Sequence, residues 1–352
     1  MRGCSLFSSA GISEVYFKEL GIDIVVANEL LKKRADLYQK LYPETNMICG
    51  DIQNEEIFDK IIKSSGKVDF LIASPPCQGM SIAGKNRTSK QIQNDFRNKL
   101  IHRVVDFIKI KKPKFILIEN VPTFLNLIVN DGTKNYNIID FFHNYFGEKY
   151  NIESGVYDSS DYGVPQIRKR AIVRIYKKKF SWNDPPKLKK ISVEKCIGHL
   201  PSLRPGEISN ITWHFARKHT ESHIKWMTHT PTGKTAFDNK EHYPQKSDGT
   251  RIKGYNSSYR RINWDQPSPT ITMRNDAISS QRNVHPGRKK KDGTFSDPRV
   301  LTPLELMLLS SLPKNWKIPL DTPEILIRQC LGECIPPMMI KNIISPIFEN
   351  EK

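Results

Sequence analysis

The sequence predicts an α/β protein built on an open, doubly wound sheet and joined to a smaller, irregular module. Three observations carry this reading. The runs IDIVVAN (Ile22–Asn28), VDFLIA (Val68–Ala73) and FILIEN (Phe115–Asn120) have the near-continuous apolar character of parallel strands buried on both faces. Between the second and third runs, His102–Ile110 spaces Val104, Val105 and Ile108 along one helical face. The strand–helix rhythm stops at KKKFSWNDPPKLKK (Lys177–Lys190), where charge and a proline pair mark a domain boundary.

Taken in order, the first strand, RGCSLF, runs into the small-residue turn SSAGISE (Ser8–Glu14), and Glu29 follows eighteen residues after Gly11. Small residues let a ligand approach the backbone, and an acid at the end of the second strand suits a ribose, so the pair points to an adenosine-containing cofactor. Asp51, in GDIQ after a third strand, suits an adenine amino group or a helix cap equally. Cys77 follows the fourth strand behind Pro75 and Pro76, which fix an extended approach and aim the thiol. Glu119 ends the fifth strand, and strand carboxyl ends line the ligand crevice of such sheets. Ala171–Tyr176 reads as a late strand of the same sheet, whereas Ile191–Ser258 has no periodicity that assigns elements. Near the end, Thr302 caps a short helix with Pro303 at its first position, and the last segment, from Pro323, is apolar and helical enough to pack on a core.

Charge divides the chain as the periodicity does. The 352 residues carry a formal net charge of +18, of which +14 lies between Lys177 and Arg299. A nearly neutral body joined to a basic module points to a polyanion partner, nucleic acid above all. No run approaches the ~20 apolar residues of a membrane span, and the N-terminus lacks a signal-peptide core, so a cytoplasmic protein is expected. The six cysteines include no CxxC pair; the Cys330/Cys334 spacing lacks a second ligand pair, and no metal is expected. His214, His219, His223 and His229 cluster with Trp213 and Trp226, and His219 and His223 would share one helical face as ligands, although DNA contact or packing explains them as well.

At the level of motifs, SPPCQGMS (Ser74–Ser81) and IENVP (Ile118–Pro122) resemble the catalytic segments of DNA cytosine-5 methyltransferases of the prokaryotic restriction-modification type. YGVPQIRKR resembles their QxRxR segment, matched by Gln166, Arg168 and Arg170; RINWDQPSPTIT, RVLTPLELMLLSSLP and QCLGECIPP resemble later family blocks, in family order. The resemblance implies a Rossmann-like sheet that uses S-adenosylmethionine over residues 1–180, a target-recognition domain over 181–300, and a C-terminal segment 301–352 that packs back on the catalytic domain. It implies catalytic roles for Cys77 as nucleophile toward carbon 6 of a flipped cytosine, Glu119 at ring nitrogen 3, and Arg168 on the base and in support of Glu119, with Gln166 and Arg170 beside them.

Carried over in the same way, the cofactor pocket includes Phe7, Ser9, Gly11, Glu29, Asp51, Ile52, Pro76, Leu100 and Glu333. Contacts to double-stranded DNA are expected from Ser81, Lys85, Arg87, Arg217, Lys218, Arg260, Arg261, Arg288 and Lys289, with Gly79–Asn98 as a closing lid. A monomer is expected, with a cognate restriction endonuclease as functional partner. The chain departs from the family at two points. Ser9 stands at the first glycine of FxGxG, where serine fits only without positive φ. Glu333 replaces the asparagine of GNxxPP, where a carboxylate would repel the site or find a basic partner. Two other readings keep the same scaffold: an RNA cytosine methyltransferase, against which the missing Cys-Phe-Thr segment counts, and a DNA-binding homologue without catalysis.

Overall fold

In the computed structural model, which describes residues 1–76 and 96–349, the apolar runs become the middle of one sheet. β1 (Arg2–Leu6), β2 (Asp23–Glu29), β3 (Asn46–Cys49), β4 (Phe70–Ala73) and β5 (Phe115–Asn120) pair in parallel in the order β3-β2-β1-β4-β5. A hairpin of β6 (Ile128–Asn130) and β7 (Asn135–Asn137) follows β5; β8 (Tyr150–Asp158) and β9 (Lys169–Lys177) then extend the sheet antiparallel, β9 against β5. Strand order reverses between β1 and β4, the switch point beside which doubly wound sheets bind ligands. Every residue of β4 and β5 is buried, as their unbroken apolar sequence requires.

Four helices, α1 (Lys32–Leu41), α2 (Glu55–Ser65), α3 (Phe96–Lys111) and α4 (Ile138–Phe146), follow strands in this unit. Asn54 caps α2 by accepting from the Glu56 N–H at 2.8 Å, and Glu55 and Glu56 suit the positive end of the helix dipole. Val104, Val105, Phe107 and Ile108 of α3 enter the same apolar core as Phe58, Leu71 and Ile116; each such side chain contributes about 1.5–3 kcal/mol on burial. No helix among the described residues is long and apolar enough to cross a membrane.

This first compact unit comprises Met1–Asp158, Lys169–Pro186 and the chain from Ile340. Trp182 explains the last two pieces: it is 1% exposed, packs among Phe70, Phe115 and Tyr176, and donates from Nε1 to the Ile343 carbonyl at 2.7 Å. The second unit comprises Ser159–Arg168 and Lys187–Met339. It is built of isolated bridges and short helices, with a small apolar cluster of Trp226, Met227, Ala236, Ile278, Val284 and Val300. Of the C-terminal segment, 301–339 falls in this unit and the chain from Ile340 in the first. Thr302 does cap helix Pro303–Leu309, in a reciprocal capping box with Glu305, but Glu305 also receives two 2.9 Å bonds from the buried Arg299.

Candidate active site

The loop after β1 bends through three positive-φ residues, Phe7 (59°), Ser9 (48°) and Gly11 (71°). Ser9 thus adopts the conformation that was expected to exclude serine. Its N–H is held by Glu29 Oε2 at 2.9 Å, and its buried Oγ has no hydrogen-bond partner. Gly11 is required twice over: a Cβ there would lie 2.5 Å from the Tyr42 ring and 2.7 Å from that of Tyr38. Tyr42 donates to the Gly11 carbonyl at 2.7 Å, and Glu14, unremarked in the sequence, accepts from the Ser5 and Tyr38 hydroxyls. Burial pushes the Glu14 carboxyl up to about 7.

Glu29 is 6% exposed and accepts Ser9 N–H and, at 2.8 Å, Leu31 N–H, one on each oxygen; each oxygen keeps a further lone pair. Buried Asn28 ties β2 to the carbonyls of Ile48 and Gly50 at 2.9 and 3.1 Å. Asp51 is exposed and accepts from Gln53 N–H at 2.9 Å within the turn before α2, whose cap is Asn54, so the helix-cap use left open by the sequence is not realised. Ile52 and Leu100 lie in the apolar core. An acid with spare acceptor sites and an orphaned buried hydroxyl, set on a tight turn at the switch point, fit a nucleoside-containing cofactor.

At the neighbouring strand ends the geometry concerns Pro75, Pro76, Glu119 and Asn120. Asn120 was quoted in the motif but not assigned a role. It is 4% exposed and donates to the Pro75 carbonyl at 2.9 Å while accepting from Val121 N–H at 2.9 Å. It thereby fixes the exposed Pro76 end of the segment that leads to Cys77. Glu119 is 6% exposed and ion-paired with Arg170, whose Nε lies 2.9 Å from its Oε1. Arg170, two residues beyond Arg168, thus braces Glu119 within the sheet. Cys77, Ser81, Lys85, Arg87 and the lid residues up to position 95 lie outside the described residues.

Gln166 and Arg168 work within the second unit. Gln166 accepts from Ile271 N–H at 3.1 Å and faces the Leu309 carbonyl at 3.4 Å. Arg168, 2% exposed, donates to the carbonyls of Ile271, Gly332 and Glu333 at 2.8, 3.0 and 2.8 Å. Gly332 has no room for a side chain, because a Cβ would fall 2.4 Å from the Thr272 carbonyl. One guanidinium thus ties the segment of Ile271 to that of Gly332 and Glu333, while Gln166 faces Leu309 in the remaining late motif.

Among the expected DNA contacts, Arg261 is corrected. It is 0% exposed and spends its guanidinium on the carbonyls of Met227, His285 and Asp297; burial lowers its pKa to about 9. Arg217 is ion-paired with Glu324 at 3.0 Å; Arg288 is paired with Glu194 at 2.7 Å and lies over the Trp264 ring. Lys218 and Lys289 are exposed, and Arg260 reaches the Asn256 carbonyl at 3.3 Å. His219 precedes helix Glu221–Thr228 and accepts from Val300 N–H at 3.3 Å, so it does not share a helical face with His223; no metal-holding group of three occurs among the described residues. His214 is a packed core histidine between Thr302 and the Pro201 carbonyl.

The sequence profile of C-5 cytosine-specific DNA methylases matches residues 1–349. The chain is 59% identical to the Type II methyltransferase M1.HgaI of Avibacterium volantium over 350 residues, covering 99% of this chain and 98% of that one. It is 28% identical to the Type II methyltransferase M1.HphI of Haemophilus parahaemolyticus, covering 98% and 86%. Among solved structures, a putative DNA modification methyltransferase encoded within an E. coli prophage superposes with a TM-score of 0.72 at 19% identity, with 99% of each chain covered. Spodoptera frugiperda DNMT2 superposes with a TM-score of 0.63 at 17% identity, again over 99% of each chain.

Proposed function

From the premise that the chain belongs to the C-5 cytosine-specific DNA methylases, we propose that it modifies one cytosine within a short recognition sequence of duplex DNA, as the methyltransferase of a Type II restriction-modification system. The observation that carries the chemistry is the paired strand ends: Asn120 holding Pro75 at the end of β4, beside Glu119 held by Arg170 at the end of β5.

In this reading the Cys77 thiolate forms a bond to carbon 6 of a cytosine turned out of the stack. Glu119 hydrogen-bonds or protonates ring nitrogen 3, so the electron pair displaced from the C5–C6 double bond is held in the ring and carbon 5 becomes nucleophilic. Arg170 keeps Glu119 oriented. S-Adenosylmethionine, when bound by the Phe7–Gly11 loop and Glu29, supplies the methyl group that carbon 5 takes. A base then removes the carbon 5 proton, the double bond re-forms, and the Cys77 sulfur leaves as thiolate. Methylation of the site would protect the DNA from the cognate endonuclease.

The test incubates the purified protein and its Cys77→Ser variant with mixed-sequence duplex DNA and S-adenosylmethionine, followed by bisulfite sequencing. Protected cytosines in one short motif are expected with the wild type and absent with the variant. Protection at no motif by a wild type that still binds DNA would sink the reading.

A further inference from the structure

One large side chain in the second unit is left in solvent by a turn built to hold it there. Tyr255 is 83% exposed. The turn that carries it is closed by the Ser258 N–H on the Tyr255 carbonyl at 2.8 Å, and Thr235 Oγ1 donates to the Ser258 carbonyl at 2.9 Å. Gly254 sits against the Phe237 ring so closely that a Cβ would come within 2.6 Å of it. Phe237 in turn packs edge-on to Tyr259, which packs on Trp226 of the apolar cluster. The base of the turn is therefore anchored in a core while its tip points a ring outward.

Cationic residues lie on and beside that turn. Arg282 donates its backbone N–H to the Ser257 carbonyl at 2.8 Å, so its segment lies alongside the turn, and its side chain is exposed. Lys253 is exposed, and Arg260 reaches Asn256 within the turn. Isolated exposed apolar residues are ordinary on any protein. Ile208 and Leu320, each 78% exposed, show this, but neither offers a π face. A ring on a braced turn with three cationic residues in the adjoining chain combines two elements that bind duplex nucleic acid: charge for phosphates and an apolar face for base edges in a groove.

We propose that Tyr255 is a base-contacting residue whose ring packs against base edges in a groove of the target duplex, with Lys253, Arg260 and Arg282 meeting the adjoining phosphates. The proposal rests on duplex DNA being the substrate, and it assigns the contact to a residue that the basic motifs of the sequence do not mark.

The test measures binding of a fluorescently labelled duplex carrying the motif that the wild type protects in bisulfite sequencing. Wild type, Tyr255→Ala, Tyr255→Phe and Lys253→Ala are compared across a salt series. Tyr255→Ala is expected to raise Kd about tenfold with an unchanged salt slope, and Tyr255→Phe to stay within about twofold of wild type. Lys253→Ala is expected to reduce the salt slope by about 1. Melting temperatures should match throughout, since Tyr255 is exposed. Unchanged affinity of Tyr255→Ala, beside a wild type that methylates the duplex, would overturn this inference alone. An equal loss in Tyr255→Phe would overturn the contact through the ring. A wild type that neither binds nor methylates the duplex would overturn both this inference and the reading it rests on.

Discussion

The two units bury their interiors by opposite means. In the first, the central strands are built on buried apolar runs whose backbone groups are satisfied by the ladder, with the buried polar side chains of β2 and β5 gathered at the strand ends. In the second, where ladders are reduced to isolated bridges, guanidinium groups satisfy loop carbonyls: Arg168, Arg261, Arg299 and Arg328 are each 2% exposed or less. Arg299 pairs with Asp297 and Glu305, and Arg328 bonds Glu324 and the carbonyls of Asn275 and Leu301. A loop-rich unit can thus be rigid without a sheet, provided that buried cations take over the accounting of backbone acceptors.

The largest expected effect tests that contrast directly. Arg299→Met leaves Asp297 and Glu305 buried without a cation and is expected to cost about 3–5 kcal/mol, read by urea unfolding. Arg174→Met in the first unit should cost less, about 1–3 kcal/mol. There the carboxylate partners Glu153 and Asp184 are 42% and 70% exposed and can turn to water. Equal losses would break the comparison.

The units should also answer pH in opposite directions. Burial raises Glu14 from 4.5 to about 7, so the stability it contributes is complete below pH 4.5 and is lost as pH rises through 7. Burial, followed by the neighbouring Arg299, lowers His285 from 6.5 to about 4, so its site is fully stable above pH 6.5 and loses stability as pH falls through 4. Burial opposes ionisation of Glu305, but Arg299 outweighs it and holds the carboxyl at about 2; its contribution, present above pH 4.5, is lost only in stronger acid. Between pH 7 and pH 5 the first unit should gain about 2 kcal/mol and the second should lose more than that, because burial lowers His219 from 6.5 to about 4 as well, read by hydrogen exchange resolved to peptides and corrected for intrinsic rate. Protection moving the same way in both units would contradict this.

The smallest effect concerns Ser9. Ser9→Gly removes a left-handed non-glycine conformation and an orphaned buried hydroxyl and should stabilise the first unit by about 1 kcal/mol, read as a raised melting temperature. A fall in melting temperature would mean that the hydroxyl has a stabilising partner.

How much of this was legible in the sequence follows from the same contrast. β4 and β5 could be read because burial on both faces leaves an unbroken apolar run, and the Thr302 cap because Pro303 and Glu305 follow it. β8 escaped notice because it alternates half-buried with exposed residues and carries Glu153 and Gly155. Arg261 read as a DNA contact because a one-dimensional pattern shows a cation but not the carbonyls of Met227, His285 and Asp297 around it. The motif QIRKR shows two arginines in line, and the pairing of Arg170 with Glu119 becomes visible only once β9 is laid against β5.

That crossing has a consequence for engineering by recombination. The chain passes between the units after Asp158, Arg168, Pro186 and Met339. A second unit transplanted from a relative therefore cannot travel as a single cassette. The short piece 159–168 must come from the same donor as 187–339, because Gln166 and Arg168 are fitted to Ile271, Leu309, Gly332 and Glu333. The splice must then fall between Arg168 and Arg170, so that the recipient keeps the arginine matched to its own Glu119.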